Sequence, residues 1–136
     1  DRNIAWRMKI MVLLFHFFHF KIKGVIYMKN ELRFSFDYGG FCLWANDGAI
    51  EPNALPISQE LIDEINSLCD EFDTSLDWEY PPDPSPWTKE EWYDFFKRSK
   101  LIYEKLEKEL GADYELISEL EKDKHMYMDN RIFADK

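Results

Sequence analysis

Residues 31–45 read ELRFSFDYGGFCLWA, and the fold turns on how they are read. Leu32, Phe34 and Phe36 alternate with Glu31, Arg33, Ser35 and Asp37. That period of two marks a strand with one buried and one wet face. Tyr38-Gly39-Gly40 interrupts it, and glycine readily adopts the positive φ angles of a tight turn. Phe41 to Ala45 then reads as the returning strand. Asn46-Asp47-Gly48 is a second turn signal, followed by a short third segment at Ala49-Ile50.

Downstream the period changes from two to about 3.6. Pro52 and Pro56 punctuate a loop, and Ser58 is placed to cap a helix over residues 58–73. Leu61, Ile65, Leu68 and Phe72 form its apolar stripe, with Ile62 and Cys69 beside them. Pro81, Pro82, Pro84 and Pro86 exclude regular structure between Thr74 and Trp87. Thr88 and Glu91 then form a T-x-x-E capping box, and Trp87 and Trp92 hold the two positions of a hydrophobic staple. Trp92, Phe95, Phe96, Ile102, Tyr103, Leu106 and Leu110 continue the stripe to Gly111, a helix-ending glycine. Glu104 with Lys108 and Lys105 with Glu109 have the i,i+4 spacing of surface pairs. Residues 114–120 (YELISEL) alternate and predict a last strand.

The order is β-β-α-α-β. With one apolar sheet face and one apolar stripe per helix, it predicts a two-layer α+β fold. The expected sheet is small and antiparallel, with two helices packed on one face. Residues 28–121 form the expected domain, and residues 122–136 a charged tail that frays, with Met126, Tyr127, Met128, Ile132 and Phe133 able to dock.

Residues 1–27 differ in character. Residues 10–20 (IMVLLFHFFHF) are apolar but about half the length that a membrane-spanning helix needs. A Met28-Lys29-Asn30 start precedes the first strand, which favours reading 1–27 as an upstream extension; an interfacial anchor and an extra strand or helix are the alternatives. Stable membrane insertion is not expected. His16 and His19 share H-x-x-H spacing, but the only other histidine is His125, so no metal site is expected.

Composition narrows the function. Of 136 residues, 46% are hydrophobic and 17% aromatic, enough for a core and against intrinsic disorder. The 27 acids and 17 bases give a net charge of −10. Residues 1–27 hold five bases and one acid, leaving 26 acids against 12 bases, or −14, on the remainder. Such a domain repels a phosphate backbone, so no nucleic-acid partner is expected, and it attracts basic protein surfaces. Cys42 and Cys69 lie on apolar faces and read as small core residues in a reducing, cytoplasmic setting.

Catalysis finds little support. Residues 28–124 contain no histidine, which removes the commonest general base. No P-loop and no G-x-G-x-x-G is present, and no cofactor is expected. Acids crowd residues 70–83, but Asp73, Asp77 and Glu79 lack the spacing and glycine of a calcium loop. Acids there alternate with Trp78 and Tyr80 beside stiffening prolines, and ordered aromatic anchors ringed by charge suit protein recognition. The plainer reading is that the tryptophans lid the core and the acids form a solvated face. The residues assigned to partner binding are Asp70, Asp73, Asp77, Trp78, Glu79, Tyr80 and Asp83. The expected function is an acidic protein-binding module for a basic partner. The alternatives are a small carboxylate-dependent hydrolase and a non-catalytic regulatory subunit.

Residues 36–44 (FDYGGFCLW), Leu55-Pro56-Ile57-Ser58 opening a helix, and Glu109-Leu110-Gly111-Ala112-Asp113-Tyr114 closing the next resemble a group of short bacterial proteins. Some of that group look like immunity proteins of polymorphic toxin systems. The resemblance covers about residues 28–120. It implies toxin neutralisation; the acidic charge of the chain adds the expectation that the toxin is basic, as a nuclease is. It carries no functional residue across, because turns, caps and core positions make it up.

Overall fold

The computed structural model describes residues 29–129. The expectations for residues 1–27 and for Ile132 and Phe133 lie outside them. Strand β1 (Asn30–Asp37) turns at Gly39 and Gly40, with φ of 106° and 89°, into β2 (Phe41–Ala45). A two-residue β3 (Gly48–Ala49) follows, one residue earlier than the spacing predicts. Helix α1 (Gln59–Asp73) starts at Ser58, whose Oγ accepts from the Leu61 N–H. Helix α2 (Lys89–Leu110) opens on the full capping box: Thr88 Oγ1 accepts from Glu91 N, and the Glu91 carboxylate accepts from Thr88 N. The staple closes as well, with the Trp87 and Trp92 rings 4.8 Å apart. Gly111, at φ 67°, ends the helix and donates its N–H to Glu107 O.

Strand β4 (Tyr114–Ser118) completes a sheet of order β3-β2-β1-β4. It runs parallel to β1, pairing Asn30 with Tyr114 through Phe34 with Ser118. The α+β class therefore stands, but the sheet is mixed and not antiparallel. A hairpin turn can only return an antiparallel strand, whereas β4 enters after a helix and takes the direction that the packing of that helix allows. The β1–β2 register shifts by one residue between Phe34 and Asp37. Within this bulge the Ser35 carbonyl accepts from Trp44 Nε1 at 2.8 Å, which satisfies a group the ladder leaves over.

Leu32, Phe34 and Phe36 of β1 share one core with both helices. Phe72, Trp92, Phe95 and Leu106 are fully buried there. Cys42 and Cys69 are buried free thiols, as read from their positions. Hydrogen bonding with the Cys69 thiol, and burial, push the Cys42 thiol well above its ordinary value.

Two further expectations change. The pairs foreseen along α2 give way to contacts between elements: Lys105 reaches Glu64 of α1 at 2.9 Å, and Glu109 accepts from Ser58 N at 2.7 Å. The segment expected to fray is helical as far as it is described. Helix α3 (Leu120–Lys124) runs into a π-helical turn (His125–Asp129), and Asp123 and Met128 are buried. Among the described residues no helix is long and apolar enough to cross a membrane.

Candidate functional site

The acidic and aromatic segment connects α1 to α2, and its base is pinned from several sides. The Ser75 carbonyl accepts from Ser85 Oγ at 2.6 Å. The buried Ser75 hydroxyl lies 3.1 Å from the Tyr38 hydroxyl. Trp87 Nε1 donates to Thr74 Oγ1 at 3.0 Å. These contacts tie the two ends of the connection to each other and to Tyr38, and the middle stays exposed.

The seven residues expected to bind a partner divide by role. Asp73, the last residue of α1, accepts from Gly39 N through Oδ1 at 3.0 Å, and its carbonyl accepts from Trp78 Nε1 at 2.7 Å. Asp77 Oδ1 accepts from Glu79 N at 3.0 Å and Tyr80 N at 3.2 Å, a local turn that sets the next residues. Asp83 N donates to the Tyr80 carbonyl at 2.9 Å and closes the following turn. Asp73 and Asp77 therefore shape the segment. The side chains of Asp70, Glu79 and Asp83 are exposed and make no hydrogen bond among the described residues. No lysine, arginine or histidine among the described residues forms an ion pair with any of the five carboxylates.

The aromatics also separate. Trp92 is wholly buried and Trp87 packs on it and on Phe95, so these two lid the core. Trp78 and Tyr80 stay 58% and 59% exposed. Trp78 stands edge-on to Tyr38, with ring centres 6.0 Å apart. Large apolar surface left open beside unpaired charge is characteristic of a recognition patch.

Neighbouring carboxylates behave differently. Glu71, one residue from Asp70, is held by Arg98, which also binds Asp94. The hydrogen bonds that Arg98 donates to Glu71 are the main cause that raises it above its ordinary value. Arg98 also borders a cleft of about 960 Å³ on the outer side of α1 and α2, where Leu68, Leu101 and Ile102 meet Glu64 and Lys105. The exposed Leu101 was the one sequence signal for it, a leucine off the buried stripe. Tyr38, Ser75 and Ser85, which anchor the segment, carried no signal beyond turn and loop composition.

Asp123 is the one carboxylate among the described residues for which a raised value is resolved, to about 6, by burial foremost. Both its oxygens are engaged by Ser35 Oγ and Phe36 N. No group of three or more histidine, cysteine or acidic side chains among the described residues is arranged to hold a metal ion.

Residues 30–118 match the model of a family described as Serratia CdiI immunity protein-like. The match spans all four strands, both long helices and the connection between them. No curated protein matches the chain.

Proposed function

We infer that this chain, which belongs to the Serratia CdiI immunity protein-like family, neutralises a toxin domain by docking against it. The docking face is the last turn of α1 and the connection from it to α2, with Asp70, Asp73, Asp77, Trp78, Glu79, Tyr80 and Asp83. The toxin surface it covers is basic, as the phosphate-binding cleft of a nuclease is, and the complex forms in the cytoplasm. The observation that carries this reading is the pairing of unneutralised carboxylates with two aromatic rings more than half exposed. The rings supply contact area at low entropy cost, and the charges speed encounter with a cationic target.

The hydrolase alternative needs two carboxylates at one site with their proton affinities pushed apart. Asp123, the candidate with a raised value, has both oxygens occupied, and the nearby Glu119 is paired with Arg33 and Lys122. Those contacts favour a structural carboxylate.

The test uses the cognate toxin domain, for which the neighbouring genes are searched. Association is followed by stopped flow across a salt series, for the native protein and for Asp70→Lys, Glu79→Lys and Asp83→Lys combined. These three side chains support no hydrogen bond of the fold among the described residues. The expected result is association slowed at least about tenfold at low salt, with a flattened salt dependence. Unchanged rates at every salt concentration would remove this face from the reading.

A further inference from the structure

Strand β4 ends before β1 does, and what covers the remaining edge of β1 is a pair of side chains. Glu119 N donates to Phe34 O at 2.9 Å, the last backbone bond on that edge among the described residues. Two residues along β1, Phe36 N donates to Asp123 Oδ2 at 2.8 Å, and Phe36 O accepts from the Tyr127 hydroxyl at 3.4 Å. Ser35 Oγ donates to Asp123 Oδ1 at 2.9 Å. The segment supplying these groups, residues 120–129, lies beyond the residues that match the family.

We propose that residues 120–129 form a pH-sensitive strap, closed on the edge of β1 by Asp123 and opening more readily when that carboxyl group is ionised. This inference stands apart from the docking reading, and neither depends on the other.

The geometry places a carboxylate, 1% exposed, against two neutral donors. The charged and titratable groups around it are Arg33 and Asp37 of β1, the Cys42 thiol of β2, Glu119 at the start of the segment, and Lys122, His125 and Asp129 within it. The cations are engaged elsewhere. Arg33 and Lys122 both approach Glu119, at 3.9 and 3.3 Å, and His125 lies 3.3 Å from Asp129. Among the described residues Asp123 therefore has no ion-pair partner of opposite charge. Burial dominates and lifts it from 3.8 to about 6, against the lowering effect of the Phe36 and Ser35 hydrogen bonds. Once protonated, it keeps the bond from Phe36 N and can donate its own proton to Ser35 Oγ, so closure then buries no charge.

Opening is not confined to the edge. The Tyr127 ring packs 5.0 Å from Phe72 and 5.7 Å from Tyr38, and Met128 is buried beside them. Release of the strap uncovers that aromatic floor. In the open form Asp123 sits in water and titrates at its ordinary value. Opening therefore grows as pH rises from 3.8 towards 6 and levels off above.

Hydrogen exchange on the full chain tests this, with rates corrected for the intrinsic pH dependence of each amide. The Phe36 amide and those of residues 123–127 are compared at about pH 4.5 and about pH 7, where linkage predicts roughly 25-fold less protection at the higher pH. Amides in the middle of α2 exchange through global unfolding and serve as the reference for it; the strap amides are expected to exchange faster than these at both pH values, which separates opening of the strap from global unfolding. Asp123→Asn retains the shape and an acceptor for Phe36 N, and its protection becomes independent of pH. Tyr127→Phe opens more at both pH values and keeps the dependence. Equal protection of the native strap at both pH values overturns the proposal, as does the same dependence in Asp123→Asn. Should Asp123→Asn fail to fold, the native protein and Tyr127→Phe decide: a dependence present in both supports the strap, and its absence from either overturns it.

Discussion

The Gly39 amide donates to Asp73 Oδ1 at 3.0 Å, across 34 residues of chain, and ties the hairpin turn to the last residue of α1. The Asp73 carbonyl meanwhile accepts from Trp78 Nε1. One residue thus holds the turn, ends the helix and sets the ring of the proposed docking face. Its charge and its hydrogen bonding are separable by substitution.

Asp73→Asn preserves an acceptor and discards the charge, whereas Asp73→Ala discards both. Urea unfolding is expected to show Asn within about 0.5 kcal/mol of the native protein and Ala lower by about 1 kcal/mol. Equal losses for the two would mean that the amide contact contributes nothing beyond the charge.

Trp78→Ala and Tyr80→Ala separate recognition from lid. Because both rings are more than half exposed, each change is expected to cost less than about 1 kcal/mol of stability. Affinity for the toxin domain, measured by titration calorimetry, is expected to fall by about 2 kcal/mol for at least one of them. Large stability losses with intact affinity would instead assign these rings to the core.

Thr88→Ala supplies a control within the same connection. It removes the capping contact to Glu91 N and is expected to cost about 1 kcal/mol in thermal or urea unfolding. Toxin affinity should not change, since Thr88 belongs to the helix start and not to the docking face. A loss of affinity equal to that of Trp78→Ala would show that the connection responds as one unit.

Asp123 also marks the pH dependence of global stability. Its folded value, about 6, lies above the ordinary 3.8. The stabilisation this shift represents is therefore fully present below 3.8 and is lost as pH rises through 6. Asp123→Asn lacks that dependence. Relative to the native protein it should gain on the order of 2 kcal/mol between about pH 4.5 and pH 7 in denaturant unfolding. A constant difference across that range would show that the carboxyl group titrates normally.

Much of this molecule was legible before its fold was known. The alternation of residues 31–37, the glycines after Tyr38 and the Thr88–Glu91 box each specify structure within a few residues of themselves, and all three stand as read. The candidate face was legible only as composition. That Asp73 and Asp77 shape the segment while Asp70, Glu79 and Asp83 do not was invisible, because their partners are set by the turns of the connection and by a hairpin 34 residues away. Glu71 looked like one more acid of the run until α2 brought Arg98 to it.

Taken alone, the sequence determined the four strands and two long helices as far as Ser118, their caps and turns, the division into apolar and wet faces, and the family. These depend on interactions between near neighbours, which any stretch of chain carries with it. The tertiary structure alone decided that β4 runs parallel to β1, that Lys105 and Glu109 reach across to α1 and its cap, and that residues 120–129 close the edge Asp123 covers. Such contacts join groups far apart along the chain, and the packing of two helices on one sheet face is what brings them within reach.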